Sequence, residues 1–181
     1  MEKSYQSLRL SHVMFDQHYH FRYIMTEHPV GEPFQQLHIY TFHGPNHQHY
    51  TVHVEEYPMD VFAIKFHLQA HSNSPNKYKL LTGNSQAPRI IRTCIEIFLA
   101  LFKKNNESSL CFIGTNSFAE DKSETKRFRI YKRVMQNFFS PQLFEHRYFA
   151  NKSLYLMLNK RKNMEELNKV IAGIIKKYEF E

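Results

Sequence analysis

The sequence predicts an α+β domain: a mixed, mainly antiparallel sheet with helices packed on one face and a further helix at the C-terminus. Three observations carry this expectation. Residues in the first half alternate between apolar and polar, the two-residue period of half-buried strands. Three later segments switch to apolar spacings of three and four, the period of an amphipathic helix. Between the first two of those segments lies Leu110-Cys111-Phe112-Ile113, short and apolar on both sides, as in a central strand covered on both faces.

A chain of 181 residues fits one domain, here taken as 1–181 with residues 1–16 irregular. The hydrophobic fraction is 42%, and sixteen Phe and eleven Tyr supply enough apolar area for a core without staples, which argues against disorder for the bulk of the chain. Cys94 and Cys111 sit among apolar neighbours and read as buried thiols, so a reducing, cytoplasmic setting is expected. The N-terminus lacks the apolar stretch of a signal peptide. The longest apolar run, Ile97 to Phe102, falls far short of the roughly 20 residues of a bilayer span, so no membrane partner is expected.

The elements follow in order. His18 to Tyr23 places Tyr19, Phe21 and Tyr23 on one side and His18, His20 and Arg22 on the other, predicting a strand. Gln36–His43 and His47–Glu56 flank Gly44-Pro45-Asn46, a hairpin by length and turn residues. Pairing about that turn puts Tyr40, Phe42, Tyr50, Val52 and Val54 on one face and His43, His47, His49 and His53 on the other. Val61 to His71 is the clearest strand, with Phe62, Ile64, Phe66, Leu68 and Ala70 opposed to Lys65, His67 and His71. The polar side of these strands reads as an outer, histidine-rich face.

After a loop rich in Ser, Asn and Pro, Pro88 opens a helix over 87–104, with Ile90, Ile91, Cys94, Ile95, Phe98, Leu101 and Phe102 along its inner stripe. The crossover from 61–71 through this helix to 109–114 predicts two parallel strands. Asp121 and Glu124 make a capping box for a helix running to about Phe139, where Ser140-Pro141 ends it. Leu143–Phe149 and Ser153–Asn159 read as a second hairpin. Asn163 and Glu166 repeat the capping pattern for a C-terminal helix striped with Leu167, Val170, Ile171, Ile174, Ile175 and Tyr178, and Lys176 and Lys177 sit in its last turn, where they suit the dipole.

Charge gives the first functional lead. Twenty-four Lys and Arg against seventeen Asp and Glu leave +7, and twelve histidines add to it below about pH 6.5. The tract KSETKRFRIYKRVMQNFF concentrates this charge on one helix. Phe128, Tyr131, Met135, Phe138 and Phe139 form its inward stripe, while Lys122, Lys126, Arg129 and Arg133 recur four, three and four apart on the outer face, with Lys132 beside them. Arg pairs bidentately with phosphate and Lys adds point charge, so the row could follow a phosphate backbone; the alternative is a solvated helix face. Arg127 falls on the flank of the apolar stripe, where an internal partner competes with a ligand role.

Other constellations are weaker. His43, His47 and His49 converge at one hairpin end and could hold zinc, though their spacing matches no zinc signature. Gly83, Asn84 and Ser85, with Arg89 and Arg92 close by, precede a helix N-terminus that could receive an anion; with Gly83 the only glycine there, no nucleotide-binding glycine motif is present. Glu55, Glu56, Asp60 and Glu96 are available for acid–base work, but no spacing pairs them.

Two resemblances bear on this. From Tyr50 onward, the tracts YTVHVEEYPMDVFAIKFHL, YKLLTG, FIGTN and TKRFRIYKRVMQNFF resemble an uncharacterised family of short bacterial proteins, which implies kinship without an assigned activity. The element order over 36–159 is also similar to that of GNAT-type N-acetyltransferases: three antiparallel strands, a helix, a strand, a helix and a closing hairpin. That resemblance implies acetyl-CoA as cofactor, held by the loop before the first helix, and Asn116 and Tyr131 near the thioester. The family's R/Q-x-x-G-x-G/A segment is replaced here by Gly83-Asn84-Ser85-Gln86-Ala87. The leading expectation is a non-enzymatic module that contacts nucleic acid or another polyanion through the basic helix. A GNAT-like acyltransferase or degenerate relative, and a protein–protein interaction module, remain the alternatives, and homo-oligomerisation stays open.

Overall fold

The computed structural model describes residues 17–78, 87–113, 126–149 and 154–178. Seven strands, β1 (Phe21–Glu27), β2 (Gln36–His43), β3 (His49–Tyr57), β4 (Val61–Leu68), β5 (Ser109–Ile113), β6 (Phe144–Phe149) and β7 (Leu154–Asn159), accompany the helices α1 (Ala87–Lys104), α2 (Lys126–Phe138) and α3 (Met164–Lys177). The strands form one sheet in the order β1-β2-β3-β4-β5-β7-β6. Every neighbouring pair is antiparallel except β4 and β5, which run parallel with Val61 opposite Ser109 and Ile64 opposite Phe112. This is the α+β class expected from the alternation and period changes, with the parallel pair where the helical crossover requires one. No described helix is long and apolar enough to cross a membrane.

The sheet separates two apolar layers. On one face Tyr40, Phe42, Tyr50, Val52, Val54, Ile64, Phe112 and Tyr155 pack with Ile90, Cys94 and Phe98 of α1 and Phe128 and Met135 of α2. On the other, Tyr57, Val61, Ala63, Cys111, Leu156 and Leu158 pack with Leu167, Ile171 and Ile174 of α3. Strands β5 and β7 are buried along nearly their whole length because helices cover them from both sides. Both cysteines are buried, and burial raises their thiol pKa values, which makes them poor nucleophiles.

The β2–β3 hairpin has the predicted face pattern, with Phe42 opposite Tyr50 and Tyr40 opposite Val52. Its turn requires Gly44, since a Cβ there would come within 2.5 Å of the Tyr50 ring. Asn163 caps α3 as expected, its Oδ1 accepting from the Glu165 and Glu166 amides at 3.0 and 3.3 Å.

Strand boundaries differ from the sequence reading. The first strand begins at Phe21, not His18, because the Tyr19 amide donates to Thr93 Oγ1 (3.0 Å) and its ring stacks on Phe42, which anchors this residue to α1 instead of to a ladder. β4 stops at Leu68, and a 3₁₀ turn takes up Gln69–His71. The capping box at Asp121 and Glu124 lies outside the described residues.

Candidate nucleic-acid interface

α2 is held by its inner side. Phe128, Val134, Met135, Phe138 and Phe139 are buried, and Phe139 meets Phe98 of α1 and Phe144 of β6 at ring distances of 5.8 and 5.5 Å. The Phe139 carbonyl at the helix end accepts from His146 Nε2 (3.1 Å), while Tyr155 Oη donates to His146 Nδ1 (2.7 Å). That pair of bonds fixes one neutral tautomer, and burial keeps the ring neutral by lowering its pKa.

The outer side is a polar stripe. Arg129, Lys132, Arg133, Gln136 and Asn137 stand at positions i, i+3, i+4, i+7 and i+8, so they share one face, and they line an open concavity of about 480 Å³. Arg129 and Arg133 are exposed. Among the described residues neither has a carboxylate within ion-pair distance. Lys132 Nζ lies 3.9 Å from the centroid of the Tyr148 ring on β6, which is itself 50% exposed. Lys126 continues the same stripe by backbone position and Arg127 is its neighbour; the side chains of both, and the whole of Lys122, lie outside the described residues.

This helix is charged against its own stability. From Lys126 to Phe138 it holds Lys126, Arg127, Arg129, Lys132 and Arg133 and no acid. Cations three and four residues apart repel, by about 0.2–0.5 kcal/mol per pair. α3 shows the opposite, ordinary arrangement, with Glu165 and Glu166 in its first turn and Lys176 and Lys177 in its last.

The other sequence candidates separate in space. At the start of α1, the Arg89 guanidinium lies over the Tyr19 ring at 4.1 Å and that of Arg92 over Phe138 at 4.4 Å, and Arg92 also pairs with Glu96. Gly83, Asn84, Ser85 and Asn116 lie outside the described residues, as does the Tyr131 side chain. His43 and His49 meet directly across the hairpin with ring centroids 4.1 Å apart, while His47 occupies the turn at φ 57°. Among the described residues no three His, Cys, Asp or Glu converge on a common metal position. The candidate carboxylates have close partners: Glu56 is hydrogen-bonded to His38 at 2.6 Å, and Asp60 is ion-paired with Lys162 at 2.7 Å, Glu96 with Arg92, and Glu55 with Lys65 at 2.8 Å.

The sequence did not reveal how Glu55 is used. The polar side of β3 and β4, expected to be an outer face, is covered by the end of α3 at Glu55 and Lys65 and by Tyr78 at His67, which are only 4%, 7% and 3% exposed. Tyr57 Oη donates to Glu55 Oε2 at 2.8 Å, Tyr178 Oη donates to the same oxygen, and Lys177 Nζ reaches Oε1 at 3.2 Å. Burial alone would raise the Glu55 pKa, but Lys65 and Lys177 overcome it and hold the carboxyl below its ordinary range. Two imidazoles adjoin this hub. His53 accepts from or donates to Tyr78 Oη at 2.7 Å, and the His67 ring stands 5.4 Å away from it.

Burial, reinforced by His67, Lys77 and Lys65, lowers the His53 pKa from 6.5 to about 4. Between those values the unfolded chain binds a proton that the folded chain refuses. Stability from this group is therefore complete above about pH 6.5 and lost as pH falls toward 4, by about 3 kcal/mol at the limit. His53→Asn is expected to flatten the acid side of a urea-unfolding pH profile; an unchanged profile would assign the effect elsewhere.

Of the residues that line the α2 concavity, Gln136 and Asn137 were legible by the same helical arithmetic that singled out Arg129 and Arg133. Tyr148 carried no signal, since its approach to Lys132 depends on β6 lying beside α2. No family model, curated protein or solved structure matches the chain.

Proposed function

We propose that the protein is a non-enzymatic module that binds nucleic acid through the outer face of α2. The observation that carries this is the stripe of Arg129, Lys132 and Arg133, flanked by Gln136 and Asn137, on a helix whose opposite face is fixed in the core. Rigid presentation matters, because cations that need no reordering lose little entropy when they meet a phosphate backbone. Gln136 and Asn137 extend the cationic row with neutral groups able to bond sugar and phosphate oxygens. The unfavourable charge arrangement of α2 supports the reading, since an ordinary solvated face gains nothing from it. Fluorescence anisotropy with a labelled oligonucleotide at low salt is the test: saturable binding is expected, and no change at any protein concentration would overturn the proposal. Equal retention of heparin would widen the partner to polyanions generally.

A second reading has its own support. The element order β2-β3-β4-α1-β5-α2-β6-β7 is in keeping with the GNAT-like layout, and the buried Nε atoms of Arg89 and Arg92, near the start of α1, have no hydrogen-bond partner among the described residues. A cofactor pyrophosphate seated there would use backbone amides at the start of the helix and these two side chains. At a hundredfold excess over its dissociation constant, acetyl-CoA would add about 2.7 kcal/mol of stability, or roughly 5–10 °C in Tm. A melting temperature unmoved by millimolar cofactor removes this alternative.

A further inference from the structure

Among the described residues β1 is an outer strand of the sheet, hydrogen-bonded to β2 on one side. Strands in that position are commonly guarded by charged side chains, by Pro or by a bulge. The sequence FRYIMTE has a bulge and the charges Arg22 and Glu27 but no Lys or Pro, and it leaves Tyr23 55% exposed, Ile24 50% and Met25 45%.

Its register against β2 has a second property. Arg22 lies opposite Thr41, Tyr23 opposite Tyr40, Met25 opposite Ile39, Thr26 opposite His38 and Glu27 opposite Leu37, with Ile24 as the extra residue of a bulge. Directly opposed residues share a face, so Tyr23 and Thr26 belong to the face of Tyr40 and His38, whereas Arg22, Met25 and Glu27 belong to the other. Read outward from the midpoint between Ile24 and Met25, the two directions are equivalent. Tyr23 mirrors Thr26 on one face, and Arg22 mirrors Glu27 on the other with opposite charge.

We propose that β1 is a self-association edge at which two copies of the chain pair antiparallel about that midpoint. Arg22 then faces the partner's Glu27, Tyr23 faces the partner's Thr26, and Ile24 faces the partner's Met25, each contact occurring twice, as a two-fold interface requires. Opposite charges directly across a pair of strands stabilise it, and equal charges oppose it. The bulge, which would mismatch an ordinary incoming strand, is no obstacle here because both copies carry the extra residue at the axis. Pairing joins two seven-stranded sheets into one and covers the exposed apolar side chains of both. The interface lies on a different strand from α2 and stands independently of what that helix binds.

Charge exchange tests this without disturbing the core, since Arg22 and Glu27 are both exposed. Sedimentation velocity on the full chain is expected to show a dimer that dissociates on dilution. Arg22→Glu and Glu27→Arg, each made alone, should weaken it roughly 10- to 30-fold, because two attractive pairs become repulsive. The double variant carrying both changes restores opposite charges at each pair and should dimerise again. Circular dichroism identical to that of the parent confirms that each variant is folded. A parent protein that stays monomeric through the dilution series, a dimer indifferent to either single change, or a double variant that fails to reassociate would overturn the proposal.

Discussion

Glu55→Ala is expected to destabilise the fold by about 3–5 kcal/mol, the range for removing one partner of a buried ion pair. The Lys65 ammonium, with a side chain 6% exposed, would lose this buried carboxylate, and Tyr57, Tyr178 and Lys177 would lose their shared acceptor. A drop of roughly 10 °C in Tm accompanies a loss of this size in a chain of such length. Two comparisons isolate the cause. Glu165→Ala removes an ion pair of 3.7 Å between side chains 84% and 74% exposed and is expected to change stability by under about 0.5 kcal/mol. Glu55→Leu combined with Lys65→Met removes the closest buried pair and should recover part of the loss, because apolar residues can replace such a pair at little net change, while Lys177, Tyr57 and Tyr178 still lack their acceptor. Equilibrium urea unfolding reads all three, and a Glu55→Ala variant as stable as the parent would show that the hub contributes nothing.

Reversing the stripe on α2, with Arg129→Glu, Lys132→Glu and Arg133→Glu together, is expected to weaken oligonucleotide binding by about 100-fold or more, since each lost phosphate contact acts nearly independently of sequence. Unfolding does not offer an alternative explanation for such a loss. Three Glu at these positions repel one another about as much as the three cations they replace, and none of the three residues belongs to the buried stripe formed by Phe128, Met135 and Phe138. The melting temperature of this variant should match that of the parent. Binding at parental strength by a folded triple variant would remove α2 from the interface.

How much of this was legible in the sequence depended on the range of the interaction involved. α1 runs from Ala87 to Lys104, the predicted limits, because Pro88 at its start and an uninterrupted apolar stripe are local signals that tertiary packing reinforces. The β2–β3 register followed from the turn alone. β1 was displaced because the alternation around Tyr19 is genuine burial but not strand pairing: Tyr19 is buried against Phe42 and bonded to α1. The polar side of β3 and β4 was misplaced for a related reason. Alternation reports which residues avoid the apolar layer, and a face rich in His, Lys and Glu looks the same whether water or the end of α3 covers it. Glu55 finds its partners at Lys177 and Tyr178, more than 120 positions away, and nothing local encodes that meeting. The α2 stripe lay at the other extreme, since one helix supplies all five residues that line the concavity.

The dependence of binding on salt reaches the central claim most directly. If α2 lies along a phosphate backbone, the logarithm of the association constant should fall linearly with the logarithm of salt concentration. The slope would be about −2 to −4 for the three to five contacts that Lys126, Arg127, Arg129, Lys132 and Arg133 can make, and it would flatten by about 2–3 in the triple reversal. A parent protein whose affinity does not change with salt, or a triple variant with the parental slope, would contradict the account.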